Sequence, residues 1–74
     1  MPQFYTEEAA ITAVKKLISK KMLQFSRRTS HEALREYPES KHLRFLEAHI
    51  AAELRDFNTA TAILEQLNRE DPKK

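Results

Sequence analysis

Residues 39–72 read ESKHLRFLEAHIAAELRDFNTATAILEQLNREDP, and this stretch decides the fold. Ser40 is a good cap for a helix over 41–54, because its hydroxyl can accept from a backbone N–H of the first turn. Leu43, Leu46, Ile50 and Leu54 fall three or four residues apart, on one face of such a helix. Phe45, Ala48, Ala51 and Ala52 widen that stripe, and a helix apolar on more than one side sits between neighbours. Arg55–Asp56–Phe57–Asn58 is a short turn. Asp56 or Asn58 can cap a further helix running to about Arg69, with Ala60, Ile63, Leu64 and Leu67 as its stripe. Pro72 ends the unit, and the tail from Asp71 to Lys74 is expected to fray.

Upstream, Pro38 disfavours helical geometry at Tyr37 and closes an earlier helix. Residues 6–21 predict the first helix: Thr6 caps it, and Glu7 and Glu8 favour its positive N-terminal end. Ala10, Ala13, Val14, Leu17 and Ile18 share one face; Lys15, Lys16, Lys20 and Lys21 lie on the others. Phe4 and Tyr5 either staple the start of this helix or pack on a neighbouring chain. The second helix has two possible starts. A start near Gln24 puts Phe25, Thr29, Ala33, Leu34 and Tyr37 on its inner face. A start at the capping box Thr29–Ser30–His31–Glu32 leaves only two turns and little burial, so the earlier start is preferred. A three-helix bundle, with 6–36 as one bent pair, is the alternative arrangement.

Composition points the same way. The 74 residues include no glycine and no cysteine. Tight strand hairpins and phosphate-cradling loops draw on glycine for positive φ, and this chain is instead rich in good helix formers. Without cysteine there is no disulfide or thiolate metal site, which fits a reducing compartment. No apolar run approaches the roughly 20 residues of a membrane span. MPQFYTEEAA carries acids where a signal peptide carries bases, so a soluble, intracellular, cytoplasmic protein is expected. The formal net charge is +2. Residues 1–37 hold seven bases against four acids, and 38–74 six against seven, a mild asymmetry rather than a basic tail.

Pro38 and Pro72 are 34 residues apart. The same shift pairs Val14 with Ala48, Leu17 with Ala51, Ser26 with Ala60, Ser30 with Leu64 and Met22–Leu23 with Asp56–Phe57. Ala13 with Glu47 is a mismatch. A 34-residue helix–turn–helix unit is the period of the tetratricopeptide repeat. Residues 39–72 resemble one copy: Ala48 is small where helices cross closely, Asp56–Phe57 resembles the acid–aromatic pair, and Ala60, Leu64, Leu67 and Pro72 follow at the family's spacing. Glu47, where a large apolar residue is common, and Arg55, in place of the usual turn glycine, depart from the pattern. Residues 5–38 resemble a more degenerate copy, with Met22–Leu23 replacing the acid–aromatic pair. The resemblance implies one all-α domain over 1–74, a right-handed superhelical stack of two helix-turn-helix repeats with about four antiparallel helices. Two repeats are fewer than such stacks normally need, so a longer array, oligomerisation or a partner is expected to cover the open end.

No phosphate loop, dinucleotide fingerprint, serine elbow or cysteine nucleophile is present, and the chain is not expected to be an enzyme. His31, His42 and His49 lack a carboxylate cluster for a closed metal site, and no cofactor is expected. His49 and Glu53 are four apart, the spacing of a surface helix pair. The basic stretch Lys15–Arg28 reads first as a solvated face. Its second reading is a nucleic-acid or acidic-lipid surface, which would need an exposed aromatic beside the charges. Phe25 is assigned to the core, which argues against that reading.

In the family this chain resembles, the first helix of each pair lines a groove that holds a peptide or helix of a partner protein. The resemblance points to Thr12, Lys15 and Ser19 from the first repeat. From the second it points to His42, Phe45, Leu46, His49 and Glu53. Ile11, Lys15 and Leu46 stand where family members that clamp heat-shock-protein carboxylates carry a lysine and asparagine set, so that ligand is not expected. The function implied is a non-catalytic interaction or scaffold module. The alternatives are a self-associating repeat unit and, more weakly, a nucleic-acid binder.

Overall fold

A computed structural model describes residues 6–70. These residues form four helices and no strand: α1 (Glu7–Ser19), α2 (Leu23–Glu36), α3 (Lys41–Glu53) and α4 (Phe57–Glu70). The protein is all-α. The staple expected of Phe4 and Tyr5, and the closing Pro72 and tail, lie outside the described residues.

The helix boundaries recur after 34 residues, with α4 followed as far as Glu70, the last described residue. The helices begin at Glu7 and Lys41, then Leu23 and Phe57; they end at Ser19 and Glu53, then Glu36 and Glu70. The caps recur too. Thr6 Oγ1 accepts from the Ala9 N–H at 3.0 Å, and Ser40 Oγ accepts from the Leu43 N–H at 3.1 Å. Each satisfies a first-turn donor that has no partner within its own helix.

The turns repeat the same way. The first helix stops two residues short of the expected Lys21, because Lys21 adopts φ 63°; Arg55, its counterpart, adopts φ 68°. The Lys21 N–H donates to Ile18 O, and the Met22 N–H to Leu17 O. The Arg55 N–H donates to Ala52 O, and the Asp56 N–H to Ala51 O. This paired pattern closes a helix through one left-handed residue, usually a glycine. The second helix starts at Leu23, near the expected Gln24 and not at the Thr29 capping box. Asp56 rather than Asn58 stands before α4, its Oδ1 accepting weakly from the Thr59 N–H at 3.4 Å.

α1 packs on α2, α2 on α3 and α3 on α4, with a smaller contact between α1 and α3. α2 and α4 do not pack together. Cross-helix pairs fix the directions. His31 meets Glu47, and Arg27 meets Asp56 at 3.0 Å, so partners ascend α3 as α2 is descended. Arg44, at the start of α3, grips Glu70, at the end of α4, through two bonds of 2.6 and 3.1 Å. α2 and α3, and α3 and α4, are therefore antiparallel.

The core gathers Ala10, Val14, Ala33, Leu43, Leu46 and Ile50, flanked by Ile11, Ile18, Leu34, Tyr37 and Leu54. α3 buries two sides, as its wide stripe predicts: Leu43, Leu46 and Ile50 on one, Ala48 and Ala51 on the other. Two expectations are corrected. Phe25 is not in the core; it is 57% exposed. The buried stripe of α2 is shifted by one residue to Ser26, Ser30 and Ala33. Small residues there allow close helix approach, which a phenyl ring at the crossing would prevent. The buried hydroxyls are satisfied locally: Ser26 Oγ donates to Leu23 O at 2.8 Å and Ser30 Oγ to Arg27 O at 3.2 Å. Leu64 is the second correction: expected in the stripe of α4, it is 44% exposed, whereas its counterpart Ser30 is fully buried.

Candidate functional site

Helical spacing places His42, Phe45, His49 and Glu53 on one stripe of α3, and all four are exposed. Phe45 is 55% exposed, an unusual position for an aromatic ring on a small domain. On α1, Thr12, Lys15 and Ser19 are also exposed. The smaller contact between α1 and α3 brings Thr12 and His42 into one depression, but not the other expected groove residues. Glu7, Glu8, Ile11, Thr12 and His42 line this open depression of about 440 Å³. Ser40 stiffens this junction, since its hydroxyl donates to Glu7 Oε2 at 2.6 Å while capping α3.

Leu46 is the exception among the expected groove residues. It is 8% exposed and belongs to the core. One residue is a 100° step on a helix, so a side chain adjacent to Phe45 cannot share its stripe. Glu7, Glu8 and Ile11 were missed. A strict 34-residue shift supplies two of them, because Glu8 is the counterpart of His42 and Ile11 of Phe45.

The resulting face is chemically mixed. Phe45 and Ile11 offer apolar surface, Thr12 and Ser19 hydroxyls, and His42 and His49 imidazoles. Carboxylates border it at Glu7, Glu8 and Glu53, and Lys15 adds a cation. His49 Nε2 lies 3.8 Å from Glu53 Oε2, one turn along α3. Among the described residues, no group of three or more His, Asp or Glu is placed to hold a metal ion, and no helix is long and apolar enough to cross a membrane.

Three other polar contacts lie away from this face and tie the helices together. Hydrogen bonds from Thr59, with the Arg27 guanidinium beside them, hold the Asp56 carboxyl below its usual range. The bond from Arg44 lowers Glu70 in the same way, and Glu70 in turn raises Arg44. His31 and Glu47 join α2 to α3, which explains how Glu47, half-buried where an apolar residue was expected, is accommodated.

No protein-family model, curated protein or solved structure matches the chain.

Proposed function

We propose that the chain is a non-catalytic, intracellular protein–protein interaction module resembling two tetratricopeptide repeats, and that it binds a peptide or helix of a partner protein along α1 and α3. The observation that carries this reading is Phe45, an exposed aromatic ring on a stripe of polar residues, about one turn along α3 from His42, which lines the open depression. Aromatic anchors ringed by polar groups are typical centres of binding energy. The experiment compares partners recovered by immobilised wild-type and Phe45→Ala chains, quantified by mass spectrometry. A partner retained by Phe25→Ala but lost with Phe45→Ala supports the reading. Identical recovery by wild type and Phe45→Ala overturns it.

One observation favours a second reading, self-association through α4. Ser30 of α2 lies fully buried, whereas its counterpart Leu64 on α4 leaves 44% of its surface in water. In a stack of repeats each such face is covered by the next helix. Sedimentation equilibrium over a wide concentration range tests this: a concentration-dependent mass for wild type that is lost in Leu64→Ser supports it, and a monomer at all concentrations excludes it.

A further inference from the structure

The opposite side of the molecule carries a second surface that the α1–α3 reading does not use. Among the described residues, Phe25, Arg27, Arg28, His31, Glu32 and Arg35 of α2 help line an open depression of about 640 Å³. Two of its cations are committed elsewhere: Arg27 pairs with Asp56, and His31 meets Glu47. Arg28 and Arg35 form no ion pair among the described residues. They are seven residues apart, two turns of one helix, which separates them by about 10.5 Å along the axis. One turn before Arg28 stands Phe25, 57% exposed, and beside it the half-open Met22. Lys20 and Lys21 add positive charge at the same end.

We propose that this outer face of α2 docks an acidic amphipathic helix of a partner protein, taking an apolar side chain on Phe25 and two carboxylates on Arg28 and Arg35. Carboxylates seven residues apart on an incoming helix repeat at the same axial distance as the two guanidinium groups. Each arginine offers a planar fork that matches a carboxylate. Glu32 decides against a nucleic-acid strand. It sits between the two arginines, where a continuous phosphate backbone would run into it, while a helix can place an uncharged residue opposite it. Single-strand binders also stack successive bases on several aromatics, and this face has one. The site lies apart from the α1–α3 groove, so the two proposals fail independently.

The test is an NMR titration of the isotope-labelled chain with a synthetic helical peptide carrying one leucine and two glutamates seven residues apart. Its glutamate-to-glutamine counterpart and a short oligothymidine strand serve as controls. Saturable shifts along Gln24–Arg35, weakened at least about tenfold by Arg28→Gln with Arg35→Gln and by Phe25→Ala, support the proposal. Retained helicity by circular dichroism shows that the variants fold, and Phe45→Ala should bind the peptide as wild type does. The proposal is overturned by no saturable shift up to millimolar peptide, equal binding of the glutamine peptide, no loss in the arginine variant or in Phe25→Ala, or loss on Phe45→Ala. Tighter binding of the oligothymidine also overturns it, and assigns the face to nucleic acid.

Discussion

Lys21 and Arg55 stand 34 residues apart and share one backbone state, φ 63° and 68°, each one residue past the C-cap of a helix. In both places a side chain bearing a Cβ occupies the left-handed region. That conformation costs an ordinary residue roughly 1–2 kcal/mol, partly offset in a glycine by its greater chain entropy. Lys21→Gly and Arg55→Gly should therefore each stabilise the fold by about 0.5–1 kcal/mol. Thermal unfolding checks this: at about 4–8 °C per kcal/mol for a domain of this size, the double variant melts several degrees higher.

Phe45 and Leu46 are neighbours in sequence with opposite fates. Leu46→Ala opens a cavity in the core and should cost about 2–5 kcal/mol. Phe45→Ala removes an exposed ring and should change stability by no more than about 0.5 kcal/mol. Urea unfolding of the two single variants separates them. Equal losses would return Phe45 to the core.

The pair Ser30 and Leu64 gives a sharper contrast. Ser30→Leu forces a large side chain into the buried face of α2, at a cost of about 1–3 kcal/mol. Leu64→Ser, the reverse exchange at the matching site of α4, should leave the monomer's stability within about 0.5 kcal/mol. Chemical denaturation of dilute protein reads both.

Glu47 meets His31 between α2 and α3, and His31 remains mostly open to solvent. Replacing a partly buried ionic contact by an apolar side chain is often neutral or stabilising when the remaining partner can return to water. Glu47→Leu should raise the unfolding midpoint by an amount matching about 1 kcal/mol. A lower midpoint would mean that the contact with His31 holds the two helices together.

Asp56 and Glu70 have carboxyls held below their usual ranges by Thr59 and Arg44. A lowered folded-state pKa means that the unfolded chain binds the proton more readily. The stabilisation from both groups is full above their unfolded values, about 4, and is lost as the pH falls through the lower folded values. Stability should decline between roughly pH 5 and pH 2, and Asp56→Asn with Glu70→Gln should flatten that decline. Thermal melts across this range, wild type against the double variant, are the check.

The sequence carried the helices better than their faces. Caps at Thr6 and Ser40, the break at Pro38 and the apolar period of α3 are local signals, and the helices follow them. The 34-residue register was legible because the same small and apolar residues recur at crossing points. What misled was size. Phe25 looked like core because it is large, yet the buried face of α2 carries only Ser26, Ser30 and Ala33. A buried serine that bonds to its own helix looks polar in sequence and apolar in effect. The residues His42, Phe45, His49 and Glu53 came from the resemblance to the tetratricopeptide repeat, while spacing alone put Phe45 in the apolar stripe; Leu46 falls off the exposed face by one helical step. Arg28 and Arg35 could not be told from any solvated pair until Phe25 was found outside beside them.

The two ends of the stack are unlike. Where α3 turns Leu43, Leu46 and Ile50 toward the preceding pair, the matching residues of α1 are Ala9, Thr12 and Lys16, all exposed. Among the described residues, those three positions offer no large apolar side chain to a following molecule. A joint that pairs Leu64 with Leu64 across a two-fold axis covers the α4 edge on both copies at once. Assembly by that joint stops at a pair.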